Sequence, residues 1–294
     1  MFSRRSLFLL VFVATSALAQ TTGSVAGRVA DSSGASLPGV TVEARSASLQ
    51  GSRVAVSDAR GEYRLALLPP GLYSVSYKLD GFAPETRKGI TVSLGKETAV
   101  DIAMKPAASG EITVTAEAPV LDSSSTTVGT NFGTRAIDTL PTQRNYTSVV
   151  QVAPGVSTDA NPDNNDPDVP TITVYGSSGA ENSYFIDGVN TTGVEYGFQG
   201  KQLNFEFIRE VNVKTGGYEA EFGRSTGGII NVITKSGGNE YSGDVFGYDD
   251  NDSLQANTKE VVASTPSGFR RSDAGVDVGG YLLKDKLWFF AAYD

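Results

Sequence analysis

The chain contains no cysteine and no histidine in 294 residues. Without cysteine there can be no disulfide framework, no thiolate metal site and no thiol nucleophile. Without histidine the usual general base and the commonest zinc ligand are gone as well. Only carboxylate or Ser–Lys chemistry would remain for an enzyme, and no enzyme activity, cofactor or metal site is expected. Basic runs are also lacking: Lys+Arg number 24 against 33 Asp+Glu, a formal charge of −9. Such an acidic chain argues against nucleic acid as a partner. Long apolar runs are absent except near the N-terminus, where Leu7 to Val13 is too short to span roughly 30 Å of hydrocarbon. Any meeting with a membrane must therefore use β-strands. Glycine, by contrast, is plentiful at 33 residues and spread along the chain, which suits a β-rich protein with many tight turns.

The first residues have the parts of a secretory signal. Arg4 and Arg5 form a basic start, the apolar run follows, and Ala17-Leu18-Ala19 is a small-x-small cleavage site. Residues 1–19 are expected to be removed, which leaves 22 basic against 33 acidic residues.

Residues 22–107 alternate with period two, as half-buried strands do. Val25, Gly27 and Val29 share a face, as do Val40, Val42 and Ala44. The same phase recurs in Tyr63, Leu65 and Leu67, in Tyr73, Val75 and Tyr77, in Ile90, Val92 and Leu94, and in Val100, Ile102 and Met104. Turn signals such as Asp31-Ser32-Ser33-Gly34, Pro38-Gly39, Asp58-Ala59-Arg60-Gly61 and Pro69-Pro70-Gly71 separate the runs. With Arg53 to Ser57 added, this predicts a seven-stranded β-sandwich. Gly27-Arg28-Val29, Leu37 to Val42, Asp58 to Tyr63 and Leu68 to Tyr73 resemble the carboxypeptidase regulatory-like family, a transthyretin-like sandwich. That resemblance implies an accessory module without zinc ligands. Its fold is shared with carbohydrate-binding sandwiches, so Tyr63, Tyr73 and Tyr77 could be a sugar-stacking set. Their inward phase favours core packing.

Small residues Ala107 to Gly110 break the chain before Glu111, Ile112, Thr113, Val114, Thr115 and Ala116, a β-prone hexapeptide followed by the polar run Asp122 to Thr127. A lone strand carries unpaired backbone groups on both edges, so another sheet can capture it. The hexapeptide resembles the TonB box of outer-membrane receptors. It could instead be the last strand of the sandwich or the first of the next domain.

Residues 108–238 read as a linker followed by a compact α+β domain. Asn145 is placed to cap a short helix carrying Tyr146, Val149 and Val150, which Pro154-Gly155 ends. Thr171 to Tyr175 and Tyr184 to Val189 read as a strand pair with Asp187-Gly188 as a turn. Phe207 to Val213 and Gly228 to Thr234 read as two further strands. Arg144 to Thr147, Ala153 to Val156, Phe185 to Asn190 and above all the block Ile208 to Gly243 resemble the plug of Oar-like TonB-dependent receptors. The resemblance singles out Asp187, Gly188, Gly216, Gly217, Glu221, Arg224, Gly227 and Gly228, with Glu219 beside them. The glycines suit close backbone approach, and the charges either pair across a contact or sit on a solvated turn. Asn161 to Asp168 lacks the Gly and terminal Glu of a calcium loop and reads as a solvated loop that could face cargo.

From residue 239 onward, Tyr241 to Asp250 alternates as an amphipathic strand. A polar stretch to Asp273 suits a long loop, and Ala274 to Leu282 with Leu287 to Asp294 suits a hairpin crowded with Trp288, Phe289, Phe290 and Tyr293. Aromatics of this kind mark membrane interfaces. Residues 239–294 are therefore expected to begin a transmembrane β-barrel that this chain leaves incomplete, as a truncated reading frame would.

The fold expected is mainly β: sandwich, α+β plug, then the first strands of an incomplete barrel. The resemblance implies an outer-membrane receptor of a Gram-negative-type bacterium with its sandwich in the periplasm. It would take up a scarce small ligand (siderophore, oligosaccharide or peptide) with a TonB energy-coupling complex and outer-membrane lipid as partners. The alternative is a secreted carbohydrate-binding or adhesin-like sandwich protein without transport.

Overall fold

The computed structural model describes residues 21–107, 112–115, 126–140, 145–159, 171–219, 222–251, 253–254 and 270–294. The signal segment 1–19, the loop Asn161–Asp168 and most of the polar stretch before Arg270 lie outside them. The chain divides into two compact units, residues 1–235 and 236–294.

The first unit opens with a sandwich. Strands β1 (Gly23–Asp31), β2 (Thr41–Arg45), β3 (Arg53–Val56), β4 (Glu62–Leu68), β5 (Gly71–Lys78), β6 (Glu85–Val92), β7 (Glu97–Ala99) and β8 (Ile102–Met104) form two sheets. One has the order β4-β1-β7, with β8 also on β1; the other runs β3-β2-β5-β6 and ends on β9 (Ile112–Thr115). Two turns use one device. Asp31 Oδ1 accepts the amides of Ser33 and Ala35 at 2.8 and 2.9 Å, and Asp58 Oδ1 those of Arg60 and Glu62 at 2.8 and 2.9 Å. The Ser33 hydroxyl, which donates to Asp31 Oδ1 at 2.6 Å, and these amide bonds hold both carboxyls below their usual range. Between the sheets lie Val25, Val29, Val40, Val42, Leu65, Tyr73, Val75, Tyr77, Ile90 and Met104, all buried.

Two sandwich expectations need correction. Leu67 is 51% exposed and Leu68 is buried instead. Leu67 has left-handed backbone (φ 58), and Ala66 and Leu67 of β4 together oppose Ser24 of β1, so a bulge shifts the phase by one. The last strand expected at Val100–Met104 starts later, at Ile102 as β8, and the separate short strand β7 precedes it. Between them the Asp101 carboxylate takes the Arg28 amide at 2.8 Å, replacing a ladder bond with a side-chain one.

The plug region contributes β10 (Val128–Gly133), α1 (Thr134–Thr139), α2 (Tyr146–Val150), β11 (Val156–Thr158), β12 (Ile172–Val174), β13 (Ser183–Ile186), β14 (Val189–Asn190), β15 (Ile208–Gly216) and β16 (Ile229–Thr234). Its five-stranded sheet has the order β10-β15-β16-β13-β14. Asn145 caps α2, accepting the Ser148 amide at 2.8 Å, and Tyr146, Val149 and Val150 pack on Val211, Val213, Ile230 and Val232. The expected pairing of Thr171–Tyr175 with Tyr184–Val189 does not form. Instead β12 pairs with β11, while β13 runs parallel to β16 and turns into β14. The buried Asn182 amide reaches the Ile172 carbonyl at 2.8 Å and links the two pieces without a ladder.

The second unit is a meander of β17 (Ser242–Asn251), β18 (Arg270–Leu283) and β19 (Leu287–Tyr293). β18 starts four residues before the Ala274 expected. Arg270 opposes Asn251 in the register and pairs with Asp249 at 2.6 Å, so a polar stretch that reads as loop extends the ladder.

Candidate functional site

The hexapeptide lies on the sandwich. Its four described residues form β9, parallel to β6 with Ile112 opposite Glu85, Thr113 opposite Thr86, Val114 opposite Arg87 and Thr115 opposite Lys88. Glu111 and Ala116 lie outside the described residues. Beyond Lys88, β6 bulges at Gly89, whose φ of 79° falls in the region that favours glycine. On β6, Glu85 is buried and held by Arg87 at 2.9 Å.

A second contact ties the sandwich to the plug sheet. Leu94, in the turn after β6, donates its amide to Glu210 Oε1 at 2.8 Å, and its carbonyl accepts from Asn131 Nδ2 at 3.2 Å. Asn131 Nδ2 also reaches Glu210 Oε1 at 2.6 Å, and Asn131 Oδ1 accepts from Asn212 at 2.7 Å. Asn131, Asn212 and Asn231 stand opposite one another on β10, β15 and β16. Burial pushes the Glu210 carboxyl up to about 7, against the hydrogen bonds from Leu94 and Asn131 and the charges of Lys96 and Arg209.

Beside this contact, a polar cleft of about 540 Å³ lies between Gly23, Arg64 and Lys96 on the sandwich and Thr126, Gly217 and Glu219 on the plug. Thr127 reaches Glu219 at 3.2 Å, and Lys214 pairs with Glu219 at 2.7 Å while lying 4.3 Å from the Phe222 ring centre. The chain thus enters the plug through this cleft before forming β10.

The plug residues singled out in the sequence fall into two groups. Gly216 and Gly217 end β15 and Gly227 and Gly228 precede β16, so the antiparallel register brings them to one end of that pair. Gly228 requires close approach: an added Cβ would meet Val174 at 2.6 Å. Asp187 and Gly188 lie at the opposite end, as a turn with both φ positive, where Asp187 accepts the Thr234 amide at 2.9 Å. Arg224 is exposed with left-handed backbone, and Glu221 lies outside the described residues. Tyr63 and Tyr77 share a bond of 2.7 Å between hydroxyls inside the core, and Tyr73 is buried too. They form no stacking surface. Among the described residues no group of three or more acidic side chains is placed to hold a metal ion.

The meander has two unlike faces. Val245, Val276 and Tyr293 lie in one cross-strand row, with Val278 and Ala291 in another on the same side. Asp244 and Asp277 oppose each other on the other side, next to Phe246 and Gly275. One apolar face and one face with acids is the alternation of a lipid-facing, lumen-lined strand.

Three families match in series: the carboxypeptidase regulatory-like domain at residues 24–105, the TonB-dependent receptor plug domain at 121–229 and the outer membrane beta barrel domain at 233–294. The TonB-dependent transporter Oar of Myxococcus xanthus is 35% identical over 270 residues, covering 86% of this chain and 25% of that protein. Along these three domains the chain is similar to the Oar-like TonB-dependent outer-membrane receptors. It spans about a quarter of the length of the curated relative it matches. Among solved structures, the siderophore receptor PirA from Acinetobacter baumannii aligns at 22% identity, over 55% of this chain and 23% of that one, with a TM-score of 0.41. The outer membrane transporter YddB from Escherichia coli aligns at 20% identity, over 51% and 24%, also at 0.41. The plug and outer membrane beta barrel matches place the protein in the cell outer membrane.

The sequence alone does not single out Asn131, Glu210, Asn212 and Leu94. The signal was present in β15, where Glu210, Asn212 and Lys214 alternate with Val211 and Val213. That pattern marks a polar face, yet all five residues are buried. Buried polar groups need partners, and these lie in β10 and in the sandwich turn.

Proposed function

We propose that the intact receptor imports a scarce ligand across the outer membrane, and that residues 111–116 are the segment a periplasmic energy-coupling protein pulls. On this reading the domains are the periplasmic sandwich at 22–107, the linker and plug at 108–238 and the start of the barrel at 239–294. Cargo of the siderophore, oligosaccharide or peptide class binds above the plug, and the role is not enzymatic. The observation that supports it most is the path of the chain. The segment is a terminal sheet strand, and the chain beyond it runs through the cleft at Thr126–Thr127 into β10, an edge strand of the plug sheet. A pull on 111–116 is therefore delivered to an edge strand, which detaches without breaking a sheet on both sides. Glycines 216, 217, 227 and 228 lie near the end where β10 begins, since Val128 stands opposite Gly216.

Deleting Glu111–Ala116 from the full-length receptor is expected to abolish uptake of its cargo while leaving cargo binding to whole cells intact. Uptake at the normal rate would overturn the coupling assignment.

A further inference from the structure

Ile112–Thr115 are already ordered as a strand, and their place in the sheet carries more than their sequence does. β9 ends the order β3-β2-β5-β6-β9, and among the described residues no strand pairs with its outer edge. A strand has two rows of backbone groups. Pairing with β6 uses one, and the outer row is left for another extended chain. Among the described residues the pairing covers four positions and runs parallel, the slightly weaker arrangement per residue, and β6 bulges next, at Gly89.

We propose that the edge of β6 is a presenting platform: it holds Ile112–Thr115 extended so that a strand of the periplasmic coupling protein adds to the outer edge of β9. This rests on the reading of residues 111–116 as the pulled segment and gives the sandwich a task within it. The physical gain is pre-ordering. Fixing the backbone of one residue costs roughly 1–2 kcal/mol, so a segment already held as a strand meets its partner with much of that cost met by β6. The short parallel ladder serves the second half of the cycle, because a pull then strips β9 from β6 while the sandwich core stays closed. The same sandwich strand leads into the turn whose Leu94 is bound by Asn131 and Glu210. The platform is thus fixed to the plug at one end of β6 and carries the segment at the other.

The chain has no native cysteine, so a single engineered pair reports cleanly. Thr86 and Thr113 are register partners, within the range a disulfide spans between neighbouring strands. In the full-length receptor carrying Thr86→Cys and Thr113→Cys, oxidation is expected to form the bond. The oxidised receptor should bind the purified periplasmic domain of the coupling protein at least as tightly as the same variant after reduction. Uptake should be lost when oxidised and regained on adding dithiothreitol. Loss of partner binding on oxidation would mean that β6 and the partner compete for one edge, and would overturn presentation. Failure to crosslink would remove β9 from β6 altogether. A second variant, Thr86→Pro, disturbs the platform without touching the segment. With the sandwich still folded by near-ultraviolet circular dichroism, partner binding is expected to weaken about tenfold; unchanged affinity would overturn the proposal. The underlying reading fails separately: if the Glu111–Ala116 deletion still binds the partner at wild-type affinity, the hexapeptide is not the docking segment at all.

Discussion

The sandwich and the meander at residues 242–293 are both built on period-two alternation, and they spend the apolar phase differently. In the sandwich, Val42, Val75, Tyr77 and Val92 point from one sheet toward Val25, Val29 and Leu65 of the other, and all are buried. In the meander, Val245 is 86% exposed, and Val276, Val278 and Tyr293 on the same face are exposed too. The polar phases differ in the opposite sense: Thr41 and Arg45 face water on β2, whereas Asp277 in the meander is buried. The sandwich satisfies its apolar phase internally. The meander's apolar phase matches hydrocarbon outside it. The same sequence pattern therefore specifies two solvents, and which one applies depends on whether a second layer exists to cover the face.

The largest expected effect breaks the sandwich side of this comparison. Tyr77→Ala removes a fully buried ring, its edge contact with Tyr63 at 5.6 Å and the hydroxyl bond between them. Large-to-small changes of this kind cost about 3–5 kcal/mol, and urea denaturation followed by circular dichroism should record it. A cost under 1 kcal/mol would mean that the two sheets do not depend on each other for cover. The counterpart in the meander is Val245→Arg. In water it should shift unfolding little, since the side chain is already exposed. In lipid it should weaken folding of the full-length receptor into vesicles by about 2–4 kcal/mol if the site lies near the bilayer midplane. Equal effects in both media would assign this face to solvent and not to hydrocarbon.

Much of the sandwich was legible because its determinants are local. Phases set by alternation and turns set by Asp31 and Asp58 act within a few residues, and Tyr63, Tyr73 and Tyr77 lie inward as their phase required. Leu67 departs from that phase because a bulge answers to the opposing strand, which alternation within β4 does not encode. In the plug, alternation located β13, β15 and β16 but could not say that β12 would turn away to β11, since pairing is a property of two segments. The same reason hid Glu210. Its partners Asn131 and Leu94 are 79 and 116 residues away, and nothing within β15 distinguishes a buried acid from a solvated one. The hexapeptide's strand character was legible, and the edge on which it rests was not.

Glu210 gives the smallest of the three effects and the sharpest test of what the first unit keeps inside. The sandwich core is dry and apolar, yet the same unit buries a carboxylate where the sandwich turn meets β10 and β15. Burial raises its pKa from 4.5 to about 7. A carboxyl with a raised folded-state pKa contributes stability that is full below the unfolded value and is lost as pH climbs through the folded one. Lys96 and Arg209, the charges that act on it, oppose the shift. The chain should therefore become less resistant to urea between about pH 5.5 and 7.5, by roughly 2 kcal/mol. The amide of Leu94 should lose hydrogen-exchange protection over the same interval, after correction for intrinsic rates. Glu210→Gln keeps an acceptor for Leu94 and a neutral side chain at every pH, so it should flatten both curves while the Tyr77 core is undisturbed. If the wild-type slope persists in Glu210→Gln, the pH dependence arises elsewhere and the turn at Leu94 is held by its carbonyl bond to Asn131 alone. If the slope vanishes, the contact between platform and plug is tightest in an acidic medium, and the sandwich is fastened through an acid that the unit keeps from water.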